Sequence, residues 1–203
     1  MKALILVDLQ NDFFPSGALE VKTGNKILPA VNKLLEMPFD KIVATKDWHP
    51  PHHISFASTH KKRVGEVIDI NGIPQILWPD HCVQGTKGAD FAPGWPNEKV
   101  DEIFLKGTLK DIDSYSTFFD NAFLHTTGLE AYLKKHHIDT VYLAGLTTEY
   151  CVTYSALDAR KLGFEVYVVQ EGCEGVELEK GNIAQAYEDM QKAGIKVISI
   201  SYD

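Results

Sequence analysis

A thiol, two carboxylates, an amine and two imidazoles are spaced along this chain where they could act together. Cys151 lies in Gly145-Leu146-Thr147-Thr148-Glu149-Tyr150-Cys151-Val152. The preceding Thr140–Ala144 is short, apolar and β-branched and reads as a buried strand. Beyond the cysteine, Val152, Ala156, Leu157, Ala159 and Leu162 recur at helical spacing as far as Gly163. Cys151 therefore stands between a strand's C-terminal end and a helix's first turn. There, unpaired N–H groups and the helix dipole favour the thiolate, the nucleophilic form. A lone cysteine in a strand-rich chain is more often a small buried apolar residue, so position alone does not make it a nucleophile.

Two other strand ends carry groups that would complement it. Asp8 follows the apolar run Ala3–Val7, and Lys106 follows Glu102–Leu105. A carboxylate at Asp8 could take the thiol proton and hand it to a leaving group. The Lys106 ammonium could hold Asp8 ionised and lower the Cys151 pKa. The plainer readings are a turn cap for Asp8 and a surface lysine for Lys106.

Asp47-Trp48-His49 places a carboxylate and an imidazole at i and i+2, on the same side of an extended chain. His81, in Trp78-Pro79-Asp80-His81-Cys82, could complete a set of two imidazoles and one carboxylate. Such a set leaves positions open for water or ligand and suits zinc, iron or manganese. Isolated loop histidines are usually just solvated. His53 could be a ligand or support one from behind, and Cys82 reads as packing. Phe13, Trp48, Trp78 and Tyr115 lie close in sequence to these groups and could clamp a flat ring. No glycine-rich phosphate cradle follows a strand.

These groups need a scaffold that gathers strand ends. Strands are expected at Ala3–Val7, Lys41–Thr45, Glu102–Leu105, Thr140–Ala144, Glu165–Val169 and Lys196–Ile200. Helices are expected at Gly24–Leu35, Gly128–His137, Glu149–Leu162 and Asn182–Ala193. Alternation of this kind implies parallel pairing through right-handed crossovers. The expected fold class is α/β: a three-layer α/β/α sandwich with a six-stranded parallel sheet, in a single domain over 1–203. Ligands of such sheets bind beyond the strands' carboxyl ends, where Asp8, Asp47, Lys106 and Cys151 all fall. From about residue 47 to 100 the chain reads as one long irregular stretch, with six of the nine prolines and five of the eight histidines. Loops of that length in a compact domain are usually functional.

The net charge of −8 argues against nucleic acid or an anionic membrane as partner. Three cysteines point to a reducing, cytoplasmic setting. The apolar run at the N-terminus is stopped by Asp8, too early for a targeting or spanning segment. A homo-oligomer is left open.

Taken together, these pieces resemble the nicotinamidase/pyrazinamidase family of the isochorismatase-like cysteine hydrolases. The resemblance rests on Val7-Asp8-Leu9-Gln10-Asn11-Asp12-Phe13, Asp47-Trp48-His49-Pro50 with His53-Ile54-Ser55-Phe56-Ala57, Trp78-Pro79-Asp80-His81-Cys82-Val83, Lys106-Gly107, Asp113-Ser114-Tyr115-Ser116 and the Cys151 segment. It spans nearly the whole chain. It implies an Asp8–Lys106–Cys151 triad and a divalent metal on Asp47, His49 and His81, zinc first, with iron or manganese as alternatives. It also implies a cis peptide before Thr147, an oxyanion hole from the Thr147 and Cys151 N–H groups, and a ring pocket lined by Phe13, Trp78 and Tyr115. The implied reaction, placed in NAD salvage, is hydrolysis of nicotinamide, and of pyrazinamide, to acid and ammonia through a cysteine thioester. The usual Ala and Asp of the family's nucleophile loop are Thr147 and Glu149 here. The alternatives are another carboxamide hydrolase of the superfamily, a non-haem iron oxygenase suggested by the two-His, one-carboxylate set, and a catalytically dead ring-binding protein.

Overall fold

Alternate residues of the first strand face two different cores, and the layers follow from that. In the computed structural model, which describes residues 1–200, β1 (Lys2–Val7) is buried along almost its whole length. Ala3, Ile5 and Val7 join one apolar cluster, while Leu4 and Leu6 join the other. A strand with two apolar faces must be covered on both sides. The first cluster is completed by α3 (Leu129–Lys135), α4 (Thr153–Lys161) and α5 (Asn182–Lys192), through Leu129, Leu133, Ala156, Ala159 and Met190. The second is completed by Val31 and Leu34 of α1 (Leu28–Leu34) and by Phe13, Phe14, Cys82 and Trp95 from loops.

Between these layers lies a six-stranded sheet. Its other members are β2 (Lys41–Asp47), β5 (Glu102–Lys106), β6 (Thr140–Leu146), β7 (Glu165–Glu174) and β8 (Lys196–Ile198). The order is β5-β2-β1-β6-β7-β8, and every neighbouring pair is parallel. Among the described residues no helix is long and apolar enough to cross a membrane.

Four local departures from the sequence reading stand out, the first three with a physical cause. The stretch from 47 to 100 holds a short helix, α2 (Ala57–His60), and an antiparallel hairpin of β3 (Val67–Ile70) and β4 (Ile73–Ile76). Asn71-Gly72 joins the two strands with positive φ at both residues (53° and 85°), the two-residue turn that matches strand twist. The helix expected from Gly24 starts as a 3-10 turn and becomes α-helical only at Leu28, because Pro29 has no N–H to donate back to Asn25. The helix expected from Glu149 begins with a π turn, Thr148–Val152, before α4. Thr153 Oγ1 donates to the Thr148 carbonyl at 2.6 Å and Ser155 Oγ to the Cys151 carbonyl at 2.5 Å, so hydroxyls hold that widened turn. The last strand stops at Ile198, and the expected remainder, Ser199 and Ile200, lies outside it.

Candidate active site

Four adjacent strands deliver the four central groups. Lys106 ends β5, Asp47 ends β2, Asp8 follows β1, and Cys151 lies in the turn after β6. In the β2–β5 register Asp47 is the direct partner of Lys106. Parallel strands in this order bring all four to one rim of the sheet.

Lys106 is the hub. Its Nζ lies 2.9 Å from Asp8 Oδ2, in close contact with Asp47 Oδ1, 3.1 Å from the Ser114 carbonyl and 3.4 Å from Cys151 Sγ. A fully buried ammonium is tolerable only with such partners. Burial lowers its pKa, but Asp47 and Asp8 outweigh that and hold it well above the ordinary lysine range. Asp8 sits at a φ of 50°, and its Oδ1 accepts the Thr45 hydroxyl at 2.6 Å. Burial raises the Asp8 carboxyl, against the pull of Lys106. Ligand-capable atoms of Asp8, Asp47 and Cys151 all lie within 4.8 Å of one another.

The Cys151 thiol departs from the expected depressed pKa. Burial pushes it well above the ordinary thiol range, Lys106 pulls it down, and Asp8 and Asp47 add to the rise. Lys106 thus favours the thiolate against that burial, and Asp8 lies close enough to the sulfur to accept its proton. The Leu146–Thr147 peptide is cis, at the position the resemblance implies.

Asp47 also belongs to a second cluster. Its Oδ2 lies 3.5 Å from His49 Nε2 and 3.6 Å from His81 Nε2. The far nitrogens are anchored: His49 Nδ1 donates to the Gly107 carbonyl at 3.0 Å, and His81 Nδ1 to the Pro79 carbonyl at 2.8 Å. Anchoring Nδ1–H leaves the Nε2 lone pairs aimed at Asp47, the tautomer a metal ligand needs. Three buried donors whose ligand atoms converge within 4.8 Å fit a divalent ion with open positions. Gly107 is required for this packing, since a Cβ there would fall 2.4 Å from His49 Cε1. His53 stacks on His49 with ring centroids 4.2 Å apart. Both His53 nitrogens are engaged, with Ser55 Oγ at 2.7 Å and the Ile112 carbonyl at 3.1 Å, so it supports His49 from behind. Burial, with His49 alongside, lowers its pKa to about 4. Cys82 is buried, and its N–H donates to Asp12 Oδ2 at 2.7 Å, which agrees with a packing role.

A cleft opens over both clusters. Phe13, Trp78 and Tyr115 line it, together with Cys151, Thr147, Asp47, His49 and His81. Trp78 Nε1 donates to Tyr115 Oη at 3.1 Å and locks the two rings, while Phe13 meets His81 edge-on at 5.6 Å. The sequence reading missed four lining residues: Leu19, Asp113, Tyr150 and Val176. Tyr150 packs edge-to-face on Trp78 at 4.9 Å, and its place beside Cys151 was an available signal. Val176 had none, because it arrives on the loop after β7. Trp48, another candidate, does not line the cleft; Lys46 lies over its ring at 5.6 Å.

Residues 2–201 match the Isochorismatase domain. The nicotinamidase of Acinetobacter baylyi is 43% identical, over 97% of this chain and 92% of that one. Among solved structures, the nicotinamidase/pyrazinamidase of Acinetobacter baumanii superposes with a TM-score of 0.94 at 43% identity, covering 98% of this chain and 95% of that one. The pyrazinamidase of Pyrococcus horikoshii in complex with zinc gives 0.79 at 39% identity, covering 98% and 99%. With whole-chain coverage, this level of identity and the same sheet, the protein is a member of the isochorismatase-domain family, in its nicotinamidase and pyrazinamidase branch.

Proposed function

We propose that the protein is a nicotinamidase, hydrolysing nicotinamide, and pyrazinamide, to the acid and ammonia. The observation that carries this reading is the contact of Lys106 with both Asp8 and Cys151 at the floor of an aromatic cleft. Phe13, Trp78 and Tyr115 hold the ring, and the carboxamide carbon lies over Cys151. Asp8 takes the thiol proton as sulfur attacks, and the resulting oxyanion is met by the N–H groups of Thr147 and Cys151. Such donors typically lower the barrier by about 3 kcal/mol each. Asp8 then protonates the departing ammonia, leaving a thioester. Asp8 next deprotonates a water, which adds to the acyl carbon, and the acid leaves as the thiol is restored. Lys106 keeps Asp8 oriented through both half-reactions.

A divalent ion on Asp47, His49 and His81 supplies, when bound, a Lewis-acid anchor for a ring nitrogen. The Asp/His donor set suits zinc first, with iron and manganese as alternatives. The Pyrococcus pyrazinamidase supports the same choice. A cytoplasmic setting and a place in NAD salvage belong to this reading.

The test is ammonia release from nicotinamide, measured with and without chelator. Steady release that is lost in Cys151→Ala supports the reading. No release from nicotinamide or pyrazinamide by the metal-loaded protein overturns it. Oxygen uptake in place of ammonia would indicate the oxygenase alternative instead.

A further inference from the structure

Glu149 is buried two residues before the nucleophile. It reaches the loop between β7 and α5, where the Glu177 N–H donates to Glu149 Oε1 at 2.6 Å. Glu177 itself has a φ of 46°, a left-handed conformation that a non-glycine residue keeps only where its surroundings hold it. The other oxygen, Oε2, is buried and makes no hydrogen bond among the described residues. It fills the space that a Cβ on Gly175 would need, since that atom would fall 2.2 Å away. Burial raises the Glu149 carboxyl, while the backbone N–H groups of Glu149, Glu177 and Val176 face it and pull the other way. Between Gly175 and Glu177 stands Val176, which lines the ring cleft with Thr147 and Cys151. One carboxylate thus ties the turn that carries the sulfur to the loop that supplies the cleft's valine wall.

We infer that Glu149 is a positioning residue for substrate choice: it sets the distance of Val176 from Cys151 and so limits which ring substituents the cleft admits. This inference rests on the nicotinamidase reading. The length of the side chain is essential to it. An aspartate is one methylene shorter, about 1.5 Å of reach, and cannot close the bond to Glu177 without moving the loop.

The experiment compares kcat/KM for nicotinamide with that for 5-methylnicotinamide and 6-methylnicotinamide in the metal-loaded wild type, Glu149→Asp, Glu149→Gln and Val176→Ala. It also follows trypsin cleavage after the exposed Lys180, within the tethered loop. In Glu149→Asp, the preference for nicotinamide over at least one methylated ring is expected to fall at least fivefold, and cleavage to accelerate by a similar factor. Glu149→Gln keeps an oxygen for the Glu177 N–H and is expected to stay within twofold of wild type in both readouts. Val176→Ala is expected to lose the preference without faster cleavage. A preference within twofold of wild type in Glu149→Asp, or cleavage that does not change in that variant, overturns the inference while leaving nicotinamide hydrolysis standing. A wild type that releases ammonia from none of these amides overturns the nicotinamidase reading and this inference with it.

Discussion

The side chain of Gln10 pairs with the backbone of Asp47 as though it were another strand. Gln10 Oε1 accepts the Asp47 N–H at 2.8 Å, and Gln10 Nε2 donates to the Asp47 carbonyl at 2.7 Å. The second Nε2 hydrogen goes to the Ala89 carbonyl at 3.0 Å. β1 ends at Val7, so the ladder with β2 stops short of Asp47, and this carboxamide replaces the missing rungs. The spacing of Asp8 and Gln10 thereby joins the proposed proton carrier to the fixing of the proposed metal ligand.

Gln10→Glu tests that clamp with almost no change in shape. It replaces a donor with an oxygen facing two buried carbonyls, the Asp47 and Ala89 oxygens. Two buried acceptors lose their partner, at a cost of about 2–4 kcal/mol in folding stability. Because Asp47 loses its anchor, affinity for a divalent ion should fall roughly 10–100-fold. Urea denaturation and metal titration by calorimetry check the two effects separately, and unchanged metal affinity would show that the clamp does not control Asp47.

Lys106→Met removes the cation from between Asp8 and Asp47. Two buried carboxylates then lack their shared counter-charge, and breaking a buried pair in this way costs about 3–5 kcal/mol. Ammonia release should also disappear, because Asp8 loses its orientation and Cys151 the ammonium beside it. Denaturant unfolding and turnover measured on the same preparation distinguish a folded, inactive protein from an unfolded one.

Gly107→Ala should act on the metal cluster without touching a ligand. The added Cβ would collide with His49 Cε1 at 2.4 Å, and the φ of 63° is itself unfavourable for alanine. The imidazole must rotate or shift, and the carbonyl that holds its Nδ1 moves with the strained backbone. The expected result is a loss of about 1–3 kcal/mol in stability and sub-stoichiometric metal after dialysis, read by atomic emission. Full metal content at wild-type stability would count against this packing constraint.

Chelation should lower both turnover and the melting temperature, and returning zinc should restore both. An ion that binds only the folded chain stabilises it by about 2.7 kcal/mol at a hundredfold excess over Kd. Differential scanning calorimetry across a zinc series measures this directly. A melting temperature independent of zinc would show that Asp47, His49 and His81 do not form a binding site in the folded protein.

Much of this could be read directly from the residues. The strands β1, β2, β6 and β7 of the main sheet carry unbroken apolar or β-branched runs, the signature of a strand buried on both faces, and the edge strand β5 shares the run although its Ile103 and Leu105 are exposed. The β3–β4 hairpin has a local signature as well, Asn71-Gly72 between two isoleucine-containing runs, within a stretch whose prolines make it read as irregular. The π turn at Cys151 was not legible, because helical spacing from Val152 onward is the same whether the first turn is α or π. The raised thiol pKa was also hidden, since a helix N-terminus is local whereas burial beside Asp8 and Asp47 is not.

By itself the sequence determines which groups stand at the C-terminal ends of strands, because apolar periodicity and its interruption are properties of neighbouring residues. It determines too that the charged members of this set need partners, because an isolated buried charge is unstable. Only the tertiary structure decides that Lys106, Asp47, Asp8 and Cys151 meet. That meeting depends on the order β5-β2-β1-β6, and strand order is set by how crossover helices pack across the sheet, between residues far apart in the chain. The same packing, with β7 beside β6, brings Val176 to the cleft and within reach of Glu149.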